Sequence, residues 1–162
     1  MTESIQIRLA KPDDADVIGY HRARMFQEMG QMPDHLYKSF ERRSQERVRE
    51  LLISKEYVGW LATGPGAAGK IDGGAGVQLR RVLPHPAGDH AFAEGRQAVI
   101  INVFTEPEWR RKGIAKLLLK RIIEWSQEQE IDRLVLHASE YGRALYEQLG
   151  FVQTNEMRFT GL

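Results

Sequence analysis

The stretch Arg110-Arg111-Lys112-Gly113-Ile114-Ala115 decides how this chain is read. It follows an apolar, strand-like run, Val99-Ile-Ile-Asn-Val-Phe-Thr105, and it opens a segment of helical periodicity. A strand that turns through a basic, glycine-containing loop into a helix aims several backbone N–H groups at one spot. The helix dipole adds about half a positive charge there. Cations at a helix N-terminus oppose that dipole, where acids are normally preferred, so an anion between them explains the pattern better than a plain solvated surface does. Gly113 lets the backbone approach closely, and Ala115 leaves the first turn uncrowded. A pyrophosphate fits such a loop.

Flanking segments narrow the reading. Upstream stands Asn102-Val-Phe-Thr-Glu-Pro-Glu-Trp-Arg110, and downstream Ala144-Leu-Tyr-Glu-Gln-Leu-Gly-Phe151. With the loop pattern Arg110-x-x-Gly113-x-Ala115, the block from residue 98 to 152 resembles the acetyl-CoA-binding core of the GCN5-related N-acetyltransferases. The resemblance implies an α+β (mixed α/β) fold, with a central, mostly antiparallel, splayed sheet flanked by helices. It implies acetyl-CoA as cosubstrate, no metal, and transfer of an acetyl group to a primary amine of a small molecule or peptide in a ternary complex.

Residue roles carry over by position. The backbone of Arg110, Arg111, Lys112, Gly113, Ile114, Ala115 and Lys116 would hold the cofactor diphosphate. Val103, Phe104 and Thr105 would line the pantetheine arm, and one of their N–H groups could polarise the thioester carbonyl. Tyr146 takes the place of the acid that protonates the departing thiolate, because a phenol and a thiol are comparably basic. Its plainer role is to pack a helix on the sheet. Ser139 stands where relatives carry an Asn that contacts the cofactor arm. The general base is open: Glu106 and Glu28 are weak candidates, and a water chain is an alternative. The acids Glu28, Asp34 and Asp89 favour a cationic acceptor. Homodimerisation enters by family analogy alone. A non-catalytic acyl-CoA-binding or sensing domain of the same fold is the alternative reading.

Composition agrees with a single domain over residues 1–162: the residues are 42% hydrophobic and 28% charged, with net charge +1. That charge gives no footprint of nucleic acid or a membrane surface. The absence of cysteine removes disulfides, thiolate metal sites and a cysteine nucleophile, and fits a cytoplasmic protein. The five histidines show no metal-ligand spacing.

Periodicity predicts a strand at Ile5, Ile7 and Leu9, a helix from Pro12 to near Gly30, and a helix from Asp34 to Ile53. Strands over 56–63 and 71–83 form a hairpin, followed by a loop over 84–97. A strand at 98–105, a helix at 111–129, a strand at 134–138, a helix at 140–149 and a closing strand at 151–160 complete the order β-α-α-β-β-β-α-β-α-β. Gly64-Pro-Gly-Ala-Ala-Gly-Lys70 imitates a nucleotide-triphosphate loop. Ile71 stands where Ser or Thr would bind magnesium, and a strand follows, so it reads as a hairpin turn. Gly73-Gly74-Ala75-Gly76 reads as a bend in that strand or room for a ligand backbone.

Overall fold

The computed structural model describes residues 4–66 and 69–161. The very N-terminus, the middle of the 64–70 turn and Leu162 lie outside the described residues. The chain begins with β1 (Gln6–Leu9), a 3-10 turn at Pro12–Asp14, α1 (Ala15–Glu28) and α2 (Asp34–Ser54). Next come β2 (Tyr57–Thr63), β3 (Gly73–Arg81), β4 (His85–Pro86), β5 (Phe92–Ala93) and β6 (Arg96–Thr105). A 3-10 turn at Pro107–Trp109 leads into α3 (Ile114–Glu128), then β7 (Arg133–Leu136) and α4 (Arg143–Gln148).

The main sheet has the order β1-β2-β3-β6-β7, antiparallel throughout except for the parallel β6–β7 pair. Its central strands are apolar on both faces because both are covered. In β2, Tyr57 and Leu61 pack with Ala15, Ile18, Val48 and Leu52 of α1 and α2. The alternate residues Trp60 and Ala62 meet Ile114, Leu118, Leu119 and Ile122 of α3. Strand side chains alternate between faces, so one apolar run serves two cores. Burying each large α3 side chain contributes about 1.5–3 kcal/mol. The sign-alternating run of α2 is a solvated face, with Arg43 paired to Glu46 and Arg47 to Glu50.

The β3–β6 ladder shifts register between Gly74 and Gly76, and Asn102 takes φ 58 in the extra step on β6. Such a bulge bends the strand. β7 pairs only with Gln97 to Ile100, so among the described residues no strand lies beside the edge of β6 that faces away from β3 beyond the bulge. That is the expected splay.

Two expectations need correction. The loop at 84–97 contains the small β4–β5 hairpin and supplies the start of β6. The closing strand at 151–160 does not form. Met157 and Phe159 are largely exposed, and Gln153 and Asn155 interrupt their face, so no continuous apolar face can dock. β7 offers only a short edge in any case. Side chains hold this segment instead, His137 with Glu156 at 3.3 Å and Arg143 with Gln153 at 3.4 Å.

His21 is buried between α1 and the sheet, 4.9 Å from the Phe104 ring centroid, and its Nε2 has no partner among the described residues. Desolvation lowers its pKa from 6.5 to about 4. Between those values the unfolded chain binds the proton and the folded chain does not, so acidification favours unfolding. Stability present above pH 6.5 should therefore fall by about 3 kcal/mol on approach to pH 4. Urea unfolding of the wild type and His21→Leu across this window checks it. Parallel pH profiles for the two proteins would remove His21 as the cause.

Candidate active site

Pro107 ends the ladder and starts a 3-10 turn, after which the chain passes through Arg111 at φ 62 and Gly113 at φ 89. Gly113 sits at the helix N-cap in the left-handed region that L side chains rarely adopt, and among the described residues no atom beyond its own stretch of chain lies within 4 Å of where its Cβ would be. No side chain caps α3, and no acid occupies its first turn. Among the described residues, no acceptor takes the consecutive N–H groups from Arg111 to Lys116. A helix start leaves such donors orphaned. Here the row borders open space at Gly113, and Arg111, Lys112 and Lys116 are exposed. The arrangement can receive an anion.

Arg110 behaves differently from its neighbours. Its N–H donates to Pro107 O at 3.3 Å, so the unpartnered row starts at Arg111. Its side chain folds back: Nε donates to Thr105 O at 2.9 Å, and Nη2 meets Glu28 Oε2 at 2.6 Å. The guanidinium also lies over the Phe104 ring at 5.7 Å. Arg110 thus ties α1 to β6 and the loop. Lys112 Nζ stacks over Trp109 at 4.7 Å.

Val103 and Thr105 are half-buried and Phe104 fully buried at the splayed end of β6. Tyr146, on α4, packs against the α3-side core, with its ring edge-on to Phe151 at 6.1 Å. Burial raises its pKa, and its hydroxyl has no hydrogen-bond partner among the described residues. It is therefore protonated at neutral pH. Ser139 is occupied locally: its Oγ accepts from Gly142 N at 3.3 Å, and its carbonyl caps the start of α4.

The carboxylates separate. Glu28 is committed to Arg110 and Arg24. Glu106 is half-buried with no ion pair among the described residues. It lies near Tyr20, whose pKa is raised first by burial and then by the Glu106 charge. Lys70 of the rejected triphosphate loop pairs with Glu108 at 3.1 Å, and β3 follows rather than a helix. Among the described residues, no cluster of His, Asp and Glu could hold a metal, and no helix is long and apolar enough to cross a membrane.

Sequence reasoning missed a polar network on the other face of β6. Arg22 Nη1 donates to Asn102 Oδ1 at 2.8 Å, and Asn102 Nδ2 donates to Tyr57 Oη at 3.3 Å. Burial pushes the Tyr57 phenol up to about 12. Gly76 makes room for that ring, since a Cβ there would overlap its hydroxyl. The one signal in the sequence was an Asn inside an apolar run, a residue that tolerates the left-handed bulge position.

The site thus combines a splayed sheet with a row of unpartnered amides at the start of α3. The chain belongs to the acetyltransferase (GNAT) family, whose model matches residues 20–151. That family uses acetyl-CoA, and the resemblance read from residues 98–152 extends across the fold. A GCN5-related N-acetyltransferase from Ralstonia eutropha is 27% identical, with a TM-score of 0.82 over 96% of this chain and 97% of that one. A predicted acetyltransferase from Clostridium acetobutylicum, solved with acetyl-CoA, is 26% identical, with a TM-score of 0.79 over 97% and 96%. Glucosamine-6-phosphate N-acetyltransferase from Arabidopsis thaliana shares the fold at 16% identity and a TM-score of 0.65, over 98% of each chain. No curated protein matches the sequence.

Proposed function

We propose that this protein transfers the acetyl group of acetyl-CoA to a primary amine by direct attack in a ternary complex. The observation that carries the reading is the row of unpartnered N–H groups from Arg111 to Lys116 around the open space at Gly113. These amides, with Arg111, Lys112 and Lys116, would hold the diphosphate. The free edge of β6 at Val103, Phe104 and Thr105 would bind the pantetheine arm as an added strand. Arg110 acts as a brace for this loop through Glu28, and Ser139 shapes the start of α4.

When bound, acetyl-CoA supplies an activated thioester. The amine nitrogen bonds to its carbonyl carbon as the carbon–sulfur bond breaks, and a β6 N–H steadies the carbonyl oxygen. Tyr146 gives its proton to the leaving sulfur, a role that suits a phenol kept protonated by burial. The attacking nitrogen must lose a proton. Of the two carboxylates considered for it, Glu106 is retained because Glu28 is held by arginines.

Mixing the protein with acetyl-CoA and a panel of primary amines, and following thiol release, tests the reading. Amine-dependent release is expected. Stabilisation by acetyl-CoA without release for any amine would leave a binding domain, not a transferase.

A further inference from the structure

A cavity of about 300 Å³ lies between α1, α2 and strands β2, β3 and β6, and Ile101 and Asn102 form part of its wall. Those residues immediately precede the stretch of β6 assigned above to the acyl donor, which sets the cavity beside the bulge, next to that stretch along the strand. Its charged lining is of one sign. Arg22, Arg43 and Arg47 line it, and no carboxylate does.

Arg22 is the centre of the argument. It is half-buried and, alone among these arginines, has no carboxylate partner among the described residues. One of its N–H groups is used on Asn102, and its plane lies over Phe26 at 5.0 Å. The rest of the guanidinium fork is left for a ligand. A partly desolvated cation without a counter-ion is costly, and burial does disfavour its charge. An arginine stays charged regardless. Arg43 and Arg47 approach from the solvent side of α2, each already paired with a glutamate, and so add field rather than a fork. The acids that suggested a cationic acceptor are elsewhere: Glu28, Asp34 and Asp89 do not line the cavity.

We infer that the acceptor is a primary amine carrying a carboxylate or phosphate, which docks its anionic group on Arg22 with Arg43 and Arg47 at the entrance. The inference rests on the amine-transfer reading above. It directs the amine end toward β6, while the anion fixes the other end. A bidentate guanidinium–oxyanion pair is both stronger and more directional than a neutral hydrogen bond.

The test compares matched acceptors in thiol release: aminoethyl phosphate against ethanolamine, and an α-amino acid against its amide. The anionic member of at least one pair should have the higher kcat/KM by about ten- to a hundredfold, mostly through KM. The better pair identifies phosphate or carboxylate. Arg22→Met should bring the ratio toward one, with Arg22→Lys intermediate. Arg43→Gln with Arg47→Gln, on the exposed face, should lower the ratio without risk to folding. Equal rates within both pairs, or a ratio unmoved by either set of variants, overturn the inference.

If no amine is turned over, calorimetric titration of the same two anions into the protein with CoA decides independently. Binding that is lost in Arg22→Met and weakened in the exposed double variant upholds the anion site while the transfer reading fails. No binding of either anion overturns it.

Discussion

Tyr146→Phe is expected to lower kcat by ~10²–10⁴ while leaving the KM for acetyl-CoA nearly unchanged. The substitution removes only the hydroxyl. The ring keeps its place against Phe151 and the α3-side core, and no protein group among the described residues loses a hydrogen bond. Stability should therefore change by less than about 1 kcal/mol, so the kinetic loss reports chemistry rather than folding. A group that acts only as the bond to sulfur breaks lowers kcat and kcat/KM together. The sign of the pH effect is also set. Burial raises the phenol pKa, so the acid form is intact across neutral pH and the wild-type rate should show no alkaline fall due to Tyr146 near pH 8. A variant that turns over within about twofold of wild type would reduce Tyr146 to a packing residue.

The sequence made the α3 side of the molecule readable because its signals are local. Ile114, Leu118, Ile122 and Trp125 mark one helical face, and they do pack on Trp60, Ala98 and Ile100. The loop at Gly113 was readable for the same reason: a glycine, neighbouring cations and a preceding strand lie within a few residues of one another. The acceptor side was not. Arg22, Tyr57 and Asn102 are far apart in the chain and meet beside the bulge where β3 and β6 slip register. The glycines of β3 read as a bend or as room for a ligand backbone: the register does shift between Gly74 and Gly76, and Gly76 admits the Tyr57 ring from β2. The sequence placed the backbone of Arg110 in the anion loop but gave no sign of where its side chain goes, to Glu28 and Thr105. The closing strand failed for a related reason, since alternation at 151–160 had no sheet edge long enough to meet it.

The two sides of β6 therefore make separable demands on the same strand, and the donor side can be tested without any acceptor. Acetyl-CoA at 100 times its dissociation constant should stabilise the wild type by about 2.7 kcal/mol. For a chain of this length that is a rise in Tm of roughly 5–10 °C. Gly113→Glu is expected to abolish the rise. A side chain at φ 89 is strained by about 1–2 kcal/mol, but its Cβ meets no atom within 4 Å, so the fold should survive. The new carboxylate sits at the start of α3, where the dipole welcomes it and offsets part of that strain. It then occupies the position meant for the diphosphate and repels it. Gly113→Ala separates the two effects, because it carries the strain without the charge and should keep part of the shift. Arg110→Gln should act more weakly than Gly113→Glu, through loosening of the Glu28 brace rather than loss of a direct anion contact. An undiminished acetyl-CoA shift in Gly113→Glu would mean that the free amides of α3 do not hold the cofactor, and the donor site would have to be sought elsewhere along β6.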